Sequence, residues 1–232
     1  MPVYQLTEEL VFPDPLLADR SGLLAVGGDL SPQRLMLAYI NGIFPWYEED
    51  LPILWHSPDP RCVIFPEELK IRKSLKQSIR NKGYQIKFDQ SFEQVIQACS
   101  EIPRHGQDGT WITEEMIDAY CELNRLGFAH SVEAYLEGEL VGGLYGIDLG
   151  NIFCGESMFS LATDASKICL VALVSSFNWK LVDCQVYNEH LGSLGARNIA
   201  ASDFQKIVKE YGNVGSSLEK WNTCSPNFQI IS

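Results

Sequence analysis

Few side chains in this 232-residue chain stand where chemistry could use them. Glu156 is a lone acid in Phe153-Cys-Gly-Glu-Ser-Met-Phe159. A carboxylate among such neighbours is costly to bury without a partner, so it is either a strand-edge residue reaching water or a polar group placed for a ligand. In Leu181-Val-Asp-Cys-Gln-Val186, strict alternation puts Asp183 and Gln185 on one face and Cys184 on the other. An Asp adjoining a Gln can fix the amide so that its oxygen faces a proton donor; the plainer alternative is a polar pair satisfying loop backbone. Cys154 and Cys184 could act as nucleophiles with His130 or His190, although buried, inert strand cysteines are far commoner. Between Lys70 and Lys87 lie seven of the 18 Lys and Arg and no acid. On a helix there, Ile71, Leu75 and Ile79 share one arc, and Arg72, Lys73, Lys76 and Arg80 the adjoining one. In an acidic protein, that gathering of one sign favours a phosphate-backbone contact over a merely solvated face. Two aromatic loops, Ile43-Phe-Pro-Trp-Tyr47 and Trp55-His-Ser-Pro-Asp-Pro-Arg61, are fixed by their prolines. They either plug a core edge or offer a stacking platform to a base or sugar.

Other chemistries are excluded. Gly150 and Gly155 have P-loop spacing, but Glu156 occupies the place of the phosphate-binding lysine. Gly155-Glu-Ser-Met-Phe159 lacks the second glycine of a nucleophile elbow. No HExxH or CxxC grouping is present, so no metal site is expected. Seven cysteines, an odd count, read as reduced thiols in a cytoplasmic protein. No apolar run is long enough to span a membrane, and MPVYQLTEEL lacks the features of a signal peptide. The net charge of −12 argues against indiscriminate nucleic-acid binding and leaves room for a local basic patch.

The elements that must position these groups can be read from local signals. Residues 1–30 are loop-rich. Ser31-Pro32 starts a helix that ends at Asn41-Gly42. Tyr84–Phe88 is a short strand, and Ser91-Phe-Glu-Gln94 has the form of a capping box. Ile102–Gly109 is a polar loop. Thr113 opens a helix closed near Gly127, and Ser131–Leu136 alternates as a strand. Leu140–Gly150 and Asn151–Ser160 have strand composition and form a hairpin joined at Gly150-Asn151. Asp164 is the expected N-cap of a helix that is apolar on most sides and therefore buried. A strand at Leu181–Val186, a short segment at Asn188–Leu194 and a last helix from Ser202 follow. The chain from Gly212 onward is polar and irregular.

The segments GLLAVGGDLSPQRLMLAYINGIFPW, LWHSPDPR, TWITEEMIDAY, GFAHSVEAY, LVGGLYG, FCGESMFS, DASK and LVDCQVYNEHLGSLGA follow one another across residues 22–196. Together they resemble the leucyl/phenylalanyl-tRNA–protein transferase family. The resemblance implies an α+β fold: a small N-terminal αβ domain (1–62), a GNAT-like acyltransferase domain with a mixed sheet (63–211) and a C-terminal tail (212–232). It implies a monomer that needs no metal or cofactor and moves Leu, Phe or Met from aminoacyl-tRNA to the N-terminal Lys or Arg of acceptor proteins. Such transfer marks those proteins for the bacterial N-end rule.

Carried over by motif, Tyr39, Trp46, Trp111 and Tyr120 would surround the terminal adenosine and its ester. Leu144, Phe153, Met158, Leu173 and Val182 would form the aminoacyl pocket. Glu156 would face the substrates' amino groups, Asp183 and Gln185 would be the catalytic pair, and Lys70, Arg72, Lys73, Lys76 and Arg80 would lie against the acceptor stem. Strict alternation puts Phe153 and Met158 on opposite faces, so one pocket containing both requires a β-bulge or strand break at or near Gly155. The chain departs from the family in a short turn at Phe177–Lys180 and in Asn124, where the family often has His. Leu144 and Leu173 replace larger or softer residues found in some members. A GNAT-like enzyme using acyl-CoA would need a Gly-rich pyrophosphate loop, which Leu161–Lys167 lacks; a non-catalytic tRNA binder would have little use for Asp183 with Gln185.

Overall fold

A computed structural model describes residues 3–102, 111–215 and 217–228; most of the polar loop expected at Ile102–Gly109 lies outside the described residues. In chain order the elements are β1 (Tyr4–Leu6), β2 (Leu23–Gly27), α1 (Pro32–Ile40), β3 (Phe44–Pro45), β4 (Leu54–His56), β5 (Arg61–Ile64), α2 (Lys73–Asn81), β6 (Gln85–Phe88), α3 (Phe92–Glu101) and α4 (Glu114–Leu126). They continue with β7 (Ala129–Leu136), β8 (Glu139–Asp148), β9 (Ile152–Ser160), α5 (Ala165–Ser176), β10 (Leu181–Gln185), α6 (Glu189–Ser193), β11 (Arg197–Ile199), α7 (Ala201–Tyr211) and α8 (Leu218–Asn222).

The fold is α+β, with two sheets. The smaller has the order β1-β2-β4-β3, so part of the segment expected to be loop is strand. These strands are two to five residues long, too short for alternation to be read. The larger sheet runs β11-β5-β10-β9-β8-β7-β6 and is mixed, with β9 and β10 its one parallel pair among the described residues. The chain changes sheets between His56 and Arg61, because β5 already pairs with β10.

Each face of the large sheet has its own core. One holds residues of α1, α3, α4 and α7, including Leu35, Val95, Met116 and Phe204. The other is built on α5, with Leu75 and Trp221. Nine residues of α5 are buried, as expected for a helix apolar on most sides.

Two expected caps are replaced by tertiary contacts. Asp164 precedes α5 with φ +68° and does not cap it. Its carboxylate accepts from Ser78 Oγ at 2.7 Å and Lys167 Nζ at 3.3 Å, tying α5 to α2. The Ser91 hydroxyl accepts from Tyr135 Oη at 2.9 Å and makes no cap bond.

The tail also folds back. Trp221 of α8 is buried, stacks on His130 at 4.4 Å and donates Nε1–H to Asp148 Oδ2 at 2.8 Å. Among the described residues of the polar run from Gly212, Trp221 is the large apolar residue that is fully buried, and it anchors the run.

Glu133 on β7 is fully buried; it accepts from Ser131 Oγ at 2.6 Å and lies 3.4 Å from the backbone N–H groups of Gln90 and Ser91. Burial pushes its pKa up to about 7. Its folded-state pKa is raised, so the unfolded chain loses the proton first as pH rises. Stability therefore falls between the ordinary carboxylate range and about pH 7, by roughly 3 kcal/mol for this group. Glu133→Gln is expected to remove that slope, and comparing melting temperatures of both proteins at about pH 5 and pH 8 checks it.

Candidate active site

The site begins where the parallel pair ends. β10 pairs with β9 only through Leu181–Asp183 against Ile152–Cys154, and both strands then bulge. On β9, Gly146 of β8 faces Gly155 while Tyr145 faces Ser157, so Glu156 is the extra residue. The shift brings Phe153 and Met158 to the α5 side, while Cys154 and Phe159 fall on the other. The bulge expected near Gly155 is therefore present. Only glycine fits opposite it: a Cβ on Gly146 would stand 2.1 Å from the Cys154 carbonyl oxygen.

On β10 the register shifts between Asp183 and Gln185, making Cys184 the extra residue. Gln185 sits at φ +59°, a conformation costing a non-glycine residue about 1–3 kcal/mol unless its surroundings enforce it. The Asp183 carboxylate supplies that enforcement, accepting the Gln185 N–H at 2.9 Å. Simple alternation on β10 is thus corrected: Asp183 holds the backbone of Gln185, not its amide.

Between the parted strands opens a cleft of about 870 Å³. Leu144, Phe153, Met158, Leu173 and Val182 all line it, as do Glu156, Asp183 and Gln185. Trp46 and Trp111 stand on its wall. Tyr39 and Tyr120 do not line it. Both are buried, their hydroxyls hydrogen-bond each other, and both bond to Glu156, the Tyr120 hydroxyl at 3.2 Å from Oε2. The four aromatics expected around one adenosine thus fall into a pair on the cleft, Trp46 exposed and Trp111 half-buried, and a buried pair behind its carboxylate.

The remaining Glu156 oxygen accepts from Gln185 Nε2 at 2.7 Å. A carboxylate only accepts, so the amide nitrogen faces Glu156 and the amide oxygen is left for another donor. Burial, with a smaller contribution from the Asp183 charge, raises the Glu156 pKa to about 7; the bonds from Tyr39, Tyr120 and Gln185 oppose that rise.

Asp183 is fully buried and paired with Arg61 in a fork: Nε to Oδ1 at 2.8 Å and Nη2 to Oδ2 at 2.7 Å. Arg61 also donates to the Gly42 carbonyl at 3.1 Å and lies over the Phe44 and Phe204 rings at 4.8 and 4.5 Å. Sequence reasoning passed over this residue. Its one local signal is a lone cation opening the apolar run Arg61-Cys-Val-Ile-Phe65.

Of the thiol–imidazole alternatives, Cys154 with His130 loses its parts, whereas Cys184 and His190 both line the cleft, the Cys184 thiol being held well above its ordinary pKa by its bond to Cys62 and by burial. Burial, chiefly, holds the Cys154 thiol well above its ordinary pKa. The ring nitrogens of His130 are engaged by Asp89 at 2.5 Å and Ser217 at 2.8 Å.

The basic run borders the site. Lys70, Arg72 and Lys73 are exposed, with Lys76 and Arg80 further along the outer face of α2. The Lys70 N–H bonds the Leu194 carbonyl at 2.8 Å, next to α6, whose His190 and Leu191 line the cleft. Among the described residues no helix is long and apolar enough to cross a membrane.

Residues 63–209 match the family model described as leucyl/phenylalanyl-tRNA protein transferase, and residues 28–59 match the model of its N-terminal domain. A protein of that name from Syntrophobacter fumaroxidans is 56% identical over 213 residues, covering 90% of this chain and 91% of its own. Another from Myxococcus xanthus is 55% identical, covering 95% and 97%. Among solved structures, a GCN5-related N-acetyltransferase from Kribbella flavida is similar at 12% identity and a TM-score of 0.36, covering 73% of this chain and 61% of that one.

Proposed function

The chain belongs to the leucyl/phenylalanyl-tRNA protein transferase family, and from that membership we propose that it transfers Leu, Phe or Met from aminoacyl-tRNA to the N-terminal Lys or Arg of acceptor proteins. The observation that carries this reading is an apolar slot ending at one buried carboxylate, Glu156, held by two phenols and the Gln185 amide.

The aminoacyl side chain enters the slot formed by Leu144, Phe153, Met158, Leu173 and Val182. Trp46 and Trp111 take the terminal nucleoside by stacking. The basic residues Lys70, Arg72, Lys73, Lys76 and Arg80 receive the acceptor stem through its phosphates.

Aminolysis of an ester is downhill and needs no ATP; the barrier lies in holding an α-amine against the carbonyl. That amine has a pKa near 8, so about a tenth of it is neutral at pH 7. Glu156, titrating about 7, takes up the proton that the neutral amine gives up as it attacks, while the free oxygen of Gln185 orients its second N–H. The C–N bond forms at the ester carbonyl, the C–O bond to the terminal ribose breaks, and the ribose oxygen leaves with that proton returned by Glu156. Asp183 acts one step back, by keeping Gln185 in its left-handed conformation.

The slot accepts Leu, Phe and Met without sharp distinction, since one methylene is worth only about 1–3 kcal/mol, whereas β-branched Val fits poorly in shape. Labelled Leu-, Phe- and Val-tRNA supplied with a peptide beginning in Arg, and a control beginning in Ala, tests the reading. Label is expected to pass from Leu- and Phe-tRNA to the Arg peptide alone. Equal labelling of the Ala peptide would overturn the acceptor assignment, and equal use of Val-tRNA the slot.

A further inference from the structure

The bulge on β10 does more than turn Gln185. It sets two consecutive residues, Cys184 and Gln185, opposite the single residue Cys62 of β5. Cys62 and Cys184 fall on the same side of the sheet, in the core built on α5, and their thiols hydrogen-bond each other. The two sulfurs differ in access. Cys62 is fully buried, whereas Cys184 is half-buried and lines the cleft. Cys184 is the sulfur an oxidant in the cleft can reach. The bond between the two thiols raises the pKa of Cys184, as burial also does, and lowers that of Cys62. Cys62, behind it, is therefore the better attacking thiolate, the role of a resolving partner.

We propose that Cys62 and Cys184 form an oxidative modification site whose disulfide switches the cleft off. With a peroxide as oxidant, the Cys184 thiol is oxidised to the sulfenic acid and the peroxide's first oxygen leaves as water. The Cys62 sulfur then attacks the Cys184 sulfur, the S–S bond forms, and the sulfenic oxygen leaves as a second water. Two thiols lose two protons and two electrons, and one peroxide becomes two waters. The sulfurs must close from hydrogen-bonding distance to about 2.0 Å, which draws the bulge toward β5. Gln185 is the next residue, held at φ +59° by Asp183 and bonded to Glu156, so the movement falls on the amide facing the substrate amine. A displacement of about 1 Å at such a group costs about 10²-fold in rate.

The effect on transfer rests on the function proposed above; the formation of the bond does not. Full-length protein would be treated with hydrogen peroxide, then analysed by intact mass, by peptide mapping and for transfer from Leu-tRNA. The untreated protein's activity tests the function separately. Expected are a mass loss of two hydrogens, a linked Cys62–Cys184 peptide, transfer slowed about 10²-fold and full recovery with dithiothreitol. Cys62→Ala should retain transfer when reduced and form no linked peptide. Absence of the linked peptide in the wild-type protein, or a linked protein that still transfers at the reduced rate, would overturn the proposal whether or not the variant folds.

Discussion

Replacing Asp183 by Ala is expected to abolish measurable transfer and to lower the unfolding free energy by about 3–5 kcal/mol. Two separate consequences meet in this residue. Removing the carboxylate strands the Arg61 guanidinium in a fully buried position, where its other contacts are one carbonyl and two ring faces. It also releases the Gln185 N–H, and with it the left-handed conformation that aims the amide at Glu156. The double variant Asp183→Leu/Arg61→Met distinguishes them. Replacing a buried ion pair by apolar residues of similar volume is commonly neutral or stabilising, so denaturation midpoints should return toward the wild-type value. Transfer should not return, because neither new side chain can hold Gln185. Recovery of both together would reduce Asp183 to a structural role.

Glu156→Gln is expected to slow turnover by about 10²-fold or more while leaving the fold intact. The variant keeps the shape of the side chain but cannot take up a proton. Wild-type turnover should rise with pH through two ionisations, that of Glu156 near 7 and that of the acceptor amine near 8. The variant should keep only the amine's limb. Stability should move the opposite way. A carboxylate whose folded-state pKa is raised costs stability once the unfolded chain has ionised, so the variant should resist denaturation better than the wild type on the alkaline side of 7. A pH–rate profile unchanged in shape would remove Glu156 from the proton path.

How much of this was legible in the sequence depended on how far each partner lay along the chain. The bulge at Glu156 followed from a parity argument on Phe153 and Met158, because five positions cannot separate two residues on one face of a regular strand. The helix opened by Thr113 and closed by Gly127 was equally local: the Thr113 hydroxyl accepts the Met116 N–H, and Gly127 sits at φ +82°. Asp164 and Ser91 had the right form for caps, but Ser78 and Tyr135 claim them from other elements. The Arg61–Asp183 pair spans 122 positions and has no signature at either end. The motifs named Tyr39 and Tyr120 for the terminal adenosine, whereas the structure sets both hydroxyls against Glu156 and off the cleft lining. Their depth behind Glu156 depends on α1 and α4 packing together, which no single segment encodes.

The indole of Trp221 lies 5.8 Å, ring to ring, from Phe153, on which the slot depends, although Trp221 is not among the residues that line the cleft. The slot therefore has a two-layer wall, and its outer layer is supplied by a stretch with no recognisable motif. Efforts to evolve the chain toward bulkier unnatural amino acids need not begin with the lining. Randomising the outer layer would change the room behind Phe153 while sparing every group proposed to handle the nucleic acid or the reacting amine.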